Sequence, residues 1–495
     1  MRNRFVWAAI VAAMLLGTTG AKAELKVKQP CSDGMVLQHS TDAVVWGRAT
    51  AGSAITVTTS WDGRKYKTTT ADDGVWRVKV ATPAASYTHH SIKVSGDGGS
   101  LVISNVLCGE VWQASGQSNM QMPVKGFHSC PVEGSQDVIC APSAADKVRM
   151  YTEYTEQSYT PVVDGGSRWI VADSDNVGEM SATAYFFAAE LNRMLDVPVG
   201  IVNNAYGGSR IESWLPKEKL EEYGTEDLSE AAIEAMTNWM RPYKIGNARH
   251  IPLKGYTVKG FIWYQGCSNI GMHEQYVSRM TDLIKMFRAD YNDGPFYLCE
   301  IAPYDYGTGE AAHGALLRVQ QHKLTEVVPN TACIVTNDLA YPYERFQIHP
   351  CQKRQVGVRL ARTALNRDYG FKTVFCEYPV AVAVSHPADD PDHLHVIVEN
   401  CPEGIGRQAG IQGLEVSNGD GVWHPVTDCG FDVGTKTMTI DISALHDSNC
   451  PGDCTTCPKA QGENWQVRYT WGDFVLGNLF NNQGLPFQTF WVKEK

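Results

Sequence analysis

Beyond its first residues the sequence has no apolar run near the ~20 residues that a membrane-spanning helix requires. It also lacks low-complexity tracts, an internal repeat of fixed period, and any stripe of clustered Lys and Arg. These absences argue against a helical membrane protein, a disordered chain, a solenoid and a phosphate-backbone binder. The charge balance agrees: 43 Lys and Arg face 54 Asp and Glu, a net charge of −11, which predicts no nucleic-acid partner. An anionic small substrate would need arginines supplied locally. With 10% aromatic and 20% charged residues, the 495-residue chain has the composition of an ordered globular protein, and its length predicts two or three domains.

The start is different. Two arginines precede an apolar stretch from Phe5 to Leu16, and Ala21-Lys22-Ala23 fits a small-x-small cleavage site. Residues 1–23 therefore read as a secretory signal, so the expected location is exported, periplasmic or extracellular, with no membrane insertion after signal removal. Fourteen cysteines in an exported chain predict disulfides rather than a metal site. Cys450, Cys454 and Cys457 have spacings that zinc accepts, with Cys429 as a fourth ligand, but an oxidising compartment favours disulfides there too. No metal and no cofactor is expected.

From residue 24 to 107 the chain breaks into short alternating runs such as "AITVTTSW" and "GVWRVKVA" separated by Gly, Asp and Ser, the pattern of a small antiparallel β domain. From 108 to 371 the rhythm changes to compact apolar runs alternating with helical spacing. Tyr185 to Leu195 precede "VPVGIV", Tyr276 to Phe287 precede "PFYLCEIAPY", Leu316 to Leu324 precede "ACIVTNDLA", and a last helix covers Gln352 to Leu365. This predicts an α/β unit with a parallel sheet covered by helices. Residues 217–240 read as a charged surface helix or insertion. Alternation returns from 372 to 495, a second β region.

In open α/β sheets, ligands gather at the carboxyl ends of strands. Three segments fall there, "GQSN" after "NVLCGEVWQA", "NNAYGGSRIESW" after "VPVGIV" and "QGCSN" after "VKGFIWY", and "FQIHP" lies before the last helix. Together they supply what acyl transfer needs: Ser118 as nucleophile, His349 as base, and oxyanion donors from a Gly207 or Gly208 amide, the Asn269 carboxamide and the Ser118 N–H. Each signal alone is weak, since such serines, glycines and asparagines are common turn formers. Arg210 is a candidate for a sugar carboxylate, with Glu212 and Gln265 for hydroxyls, although Arg210 and Glu212 can equally pair with each other. Trp214 and Trp263 read as core.

"GEVWQASGQSNMQMPV", "NNAYGGSRIESW", "PLKGYTVKGFIWYQGCSN" and "IHPCQKRQVGVRLA" resemble the successive motif blocks of the sialate O-acetylesterases, members of the SGNH-hydrolase superfamily. "CSDGMVLQ" and "VRYTWGDFVLGNLFNNQGLP" resemble that family's flanking β segments. The resemblance implies a flavodoxin-like SGNH parallel sheet flanked by N-terminal and C-terminal β-sandwich-like regions. It also implies hydrolysis of acetyl esters on sialic acids, with Ser118, His349, Asn269 and a Gly207 or Gly208 amide in the roles given above. The Asn119-Met120 sequence after the serine departs from the G-x-S-x-G elbow of lipases.

Two departures from the family pattern stand out. The acidic residue usual just before Ile-His-Pro is missing, with Phe346 and Gln347 in that stretch, so the histidine's orienting group is open between Gln347, a backbone carbonyl and Glu344. Cys267 stands where the family usually has glutamate, and a disulfide among Cys108, Cys267 and Cys351 is one way to brace the site. The expected function is secreted carbohydrate O-acetylesterase through an acetyl-serine intermediate, with sialic acids as first substrate and an acetylated sugar as partner. Other glycan acetates such as acetylated xylan, or a carbohydrate-binding protein without catalysis, are the alternatives. Oligomeric state is not legible in the sequence.

Overall fold

A computed structural model describes residues 24–406, 410–445 and 464–494. The signal-like residues 1–23 and Cys450, Cys454 and Cys457 lie outside the described residues.

The centre is a twisted sheet in which six strands run parallel, in spatial order Val148–Thr152, Val199–Asn203, Gly99–Gly116, Gly260–Tyr264, Phe296–Cys299 and Thr331–Ile334. Trp169–Val171 adds an antiparallel edge. Its inner strands read as near-continuous apolar runs because helices cover both faces, and Val199–Asn203 and Gly260–Tyr264 are buried at every position. On one face Ala182–Leu195 packs against Lys353–Asp368, enclosing Met120, Phe187, Leu191 and Leu360. On the other, His273–Asp290 and His313–Val327 pack together, and their core, with Trp263, Phe287 and Leu317, continues into the N-terminal strands through Val36, Trp46 and Trp76. Trp214 and Trp263 are both core, with ring centroids 5.6 Å apart.

Gly99–Gly116 is an 18-residue strand whose first half pairs antiparallel with Ser86–Gly96 and whose second half is the middle of the parallel sheet. The change of pattern at residue 107 therefore falls inside one continuous strand. The C-terminal region forms two four-stranded antiparallel sheets and one two-stranded pair around Leu394, Val396, Trp465 and Phe487.

The cysteines correct one expectation. Cys108, Cys267 and Cys351 carry free thiols, as do Cys31, Cys130, Cys140, Cys299, Cys333, Cys376 and Cys401. A strand advances ~3.3 Å per residue, so Cys108, ten residues before Ser118, lies roughly 30 Å down the central strand and cannot brace the site. Cys351 faces Glu133 instead.

Candidate active site

The chain leaves the central strand toward Val148–Thr152 on one side and leaves its neighbour Gly260–Tyr264 toward Phe296–Cys299 on the other, so the strand order reverses there. This is the switch point at which open α/β sheets form a crevice. The three strand ends deliver Ser118, Gly207 and Asn269. Gly116 ends the central strand at φ +128°, and a β-carbon there would lie 2.3 Å from the Tyr264 carbonyl oxygen, so only glycine allows the close crossing. Gln117 then locks the turn: its amide donates to Tyr264 O (2.9 Å), and its side-chain oxygen accepts from Gly266 N (2.8 Å). Ser118 opens the one-turn helix Ser118–Gln121 and is half-buried.

Asn119, the next residue, ties this turn to a segment 229 residues away. Its Nδ2 donates to Ile348 O (3.0 Å), and its Oδ1 accepts from Lys353 Nζ (2.7 Å), which also donates to Pro350 O (2.6 Å). The "GQSN" and "IHP" segments therefore meet. Gly207 also lies against the serine. A β-carbon on it would sit 3.6 Å from Ser118 Cβ, and its amide donates to Gln121 Oε1 (2.7 Å). Gly208 has φ +75°, and a β-carbon there would strike the Trp239 ring at 2.2 Å. Trp239 is 48% exposed, so it forms a wall beside the glycine pair.

Asn269 is held from behind. Its Oδ1 accepts from Ile211 N (3.1 Å) and Gln265 Nε2 (2.7 Å), while its Nδ2 donates to Glu212 Oε2 (3.1 Å).

His349 is placed with less support. Its ring meets Phe127 edge to face at 5.3 Å, and Nδ1 lies 3.8 Å from Cys130 Sγ. Cys130 Sγ in turn donates to Gln347 Oε1 (3.2 Å), which also accepts from His349 N (3.3 Å). Nε2 is buried and, among the described residues, has no hydrogen-bond partner. Burial, reinforced by the Lys353 ammonium, lowers the imidazole to about 4. Burial likewise lowers Lys353 to about 8.

A family model described as carbohydrate esterase, sialic acid-specific acetylesterase, matches residues 109–366, which hold every residue of this site. The chain belongs to that esterase family. It is 28% identical to the sialate O-acetylesterase of Pongo abelii, over 89% of this chain and 86% of that protein. It is also 28% identical to the sialate O-acetylesterase of Homo sapiens, over 84% of each chain. In three dimensions it is similar to a carbohydrate acetylesterase from Xanthomonas citri, with a TM-score of 0.78 and 28% identity over 94% of this chain and 99% of that one.

Several expectations about the esterase's polar residues change with the structure. Glu344 does not reach the imidazole, because its carboxylate is spent on two backbone amides, those of Cys351 and Tyr341 (both 2.8 Å). Gln347 reaches the ring only through the Cys130 thiol. Gln265 is fully buried and donates to Ser209 O and Asn269 Oδ1, so it meets the protein and not a sugar hydroxyl. Arg210 bonds Glu226 (2.5 Å) and Met240 O (2.7 Å) and lies 3.8 Å from Glu212, which is fully buried and also paired with Arg279. The two arginines and two glutamates form a closed frame behind Asn269. Glu226 comes from the 217–240 insertion, which thereby becomes part of the site's support.

Sequence reasoning missed Cys130, Lys353 and Trp239. Of these only Lys353 carried a local signal, as a lysine on the buried side of an otherwise predictable helix.

Proposed function

We propose that this carbohydrate esterase removes O-acetyl groups from sugars, sialic acids first, through an acetyl-serine intermediate. The Asn119 bridge, which brings the serine turn and the histidine loop together at a strand-order reversal, is the observation that supports this most directly. In this reading the sheet is of the flavodoxin-like SGNH type, with the divisions 24–107, 108–371 and 372–495, and residues 1–23 export the protein.

Ser118 Oγ attacks the acetyl carbonyl while His349 Nε2 takes its proton. The carbonyl oxygen becomes an oxyanion, and its donors are the second hydrogen of Asn269 Nδ2, the Ser118 amide and the Gly207 or Gly208 amide. Gln121 Oε1 already sits on the Gly207 amide as an oxygen acceptor, so the substrate oxygen replaces it there. Collapse of the tetrahedral intermediate expels the sugar hydroxyl, which receives the proton from His349. Water then attacks the acetyl-serine with His349 again as base, releasing acetate.

Base function needs the hydrogen on Nδ1. The order Nδ1–H to Cys130 Sγ and Sγ–H to Gln347 Oε1 leaves Nε2 unprotonated, so a thiol and an amide hold the tautomer that an acid usually holds. Neither stabilises imidazolium as a carboxylate does, in line with the low imidazole pKa. Arg210, Glu212 and Gln265 position Asn269, and Trp239 offers an aromatic face to the sugar.

The test is acetate release from O-acetylated sialic acids and from acetylated xylan, with a chromogenic acetate ester as reference. Ser118→Ala is expected to lose on the order of 10³-fold or more in kcat on the reference ester. Equal rates for both proteins would remove the serine mechanism, and release from xylan alone would replace the sialic acid assignment by the xylan one.

A further inference from the structure

A cleft of about 920 Å³ lies apart from the serine turn, in a groove between the C-terminal β region, the 305–312 loop and Arg345. Its floor is built on a sheet. Glu415, Arg468 and Trp491 stand in register on three adjacent antiparallel strands and so share one face. Trp491 is fixed by a hydrogen bond from Nε1 to Gln466 Oε1 (2.9 Å). Trp423 and Trp471 meet its ring edge to face with centroids at 5.4 and 4.8 Å. Elsewhere the tryptophans Trp46, Trp76, Trp112, Trp214, Trp263 and Trp465 are sealed in cores, but Trp491 is 36% exposed and Trp423 and Trp471 are only half-buried. Three partly open indoles on a rigid sheet are a preorganised aromatic surface.

The polar lining narrows the ligand. Arg468 stacks on Trp423 at 3.8 Å and bonds Glu415 (2.7 Å), and Arg345 on the facing wall bonds Asp305 (2.8 Å). Both arginines are thus neutralised in place, which disfavours an anionic ligand, while their pairs still present donors and acceptors to hydroxyl groups. The two walls are fixed to each other, because buried Asp473 accepts from Thr308 and Gly314 and so clamps the 305–312 loop to the C-terminal region. Aromatic faces, paired hydrogen-bonding groups and a volume in the upper part of the ~300–1,000 Å³ range of small-molecule sites suit an uncharged chain of pyranose rings.

We propose that this tryptophan cleft is a second, non-catalytic carbohydrate site that holds a neutral oligosaccharide segment. Its facing wall includes Arg345, four residues before His349, so a glycan seated there lies against the loop that carries the base. The proposal does not depend on the serine chemistry and is tested without it.

Xylohexaose, mannohexaose and 3′-sialyllactose are titrated calorimetrically into the full-length Ser118→Ala protein. At least one neutral hexaose is expected to bind saturably with Kd below about 1 mM. Trp491→Ala is expected to weaken it about tenfold or more, and Trp491→Phe, which keeps an aromatic face, by less than about threefold. Thermal melts check that each variant folds, and Trp423→Ala carries the same expectation should Trp491→Ala fail to fold. The proposal is overturned by the absence of saturable binding of either neutral hexaose up to about 10 mM. It is equally overturned by binding that the folded tryptophan-to-alanine variants leave intact, or by binding of sialyllactose alone.

Discussion

The two halves of the proposed active site are built to different standards. On the strand-end half, Ser118, Gly207 and Asn269 are set by buried Gln117, Gln265 and Glu212 and by the Arg210–Glu226–Arg279 frame behind them. On the loop half, His349 has a phenyl edge, a thiol at 3.8 Å and a neighbouring ammonium. In the proposed mechanism the oxyanion side is held by Asn269 and its buried supports, and only the Gln121 side chain on the Gly207 amide has to give way. The base side relies on weak donors and has no carboxylate on its outer nitrogen among the described residues. Acyl transfer can tolerate this division because electrostatic preorganisation at the oxyanion is usually the largest catalytic term, while the orienting acid mainly fixes the tautomer.

The sharpest way to break the contrast is to damage the strong half. Asn269→Ala is expected to lower kcat on a chromogenic acetate by about 10² to 10³ with little change in KM, and a loss of under fivefold would show that the frame serves stability only. Strengthening the weak half should act in the opposite direction. Gln347→Asp is expected to raise kcat/KM roughly tenfold, since even an indirect carboxylate stabilises imidazolium. A decrease in the folded variant would mean that the thiol–amide pair is already the better orienter.

The pH profile tests the same contrast more gently. The proposed reaction needs neutral His349, and burial lowers that imidazole to about 4, so the acid limb of kcat/KM should fall near pH 4 rather than near the ~6.5 of a free imidazole. In Gln347→Asp the limb should move to higher pH. The same group affects stability with a definite sign. Between about pH 4 and 6.5 the unfolded chain binds the proton that the folded chain excludes, so His349 makes the protein less stable as pH falls through that window, which denaturant melts can follow. The smallest effect is expected for Cys130→Ala, a loss of about three- to tenfold in kcat that Cys130→Ser largely restores, with KM unchanged. A change in KM alone would give Cys130 a packing role.

How much of this was legible follows the same line. The strong half lies in strand-turn-helix segments, where an apolar run, a glycine and a polar cluster mark a strand end, so Ser118, the glycine pair and Asn269 were weak candidates singly and gained weight only from their shared placement. The helices Ala182–Leu195, His273–Asp290, His313–Val327 and Lys353–Asp368 agree with their apolar spacing. The weak half depends on contacts that leave no local trace. Cys130 sits 219 residues from His349 in an irregular loop, and nothing in "HSCPVEG" signals an imidazole. Glu344 was one of three orienters left open, and the only carboxylate among them, yet the turn at Pro342–Glu344 directs it to nearby backbone amides. The strand Trp169–Val171 escaped notice because three edge residues are too few to set a period. The insertion 217–240 looked like a solvated surface because its charges are dense, and only the fold shows that Glu226 turns inward to Arg210.

The Asn119 bridge also has a dynamic consequence. With one amide side chain, next in sequence to Ser118, grasping both the backbone before His349 and the lysine that opens the last helix, drift of the serine turn draws that backbone with it. If the proposed roles hold, the serine turn and the backbone of the histidine loop then shift as one unit, while the imidazole ring itself keeps only its looser hold.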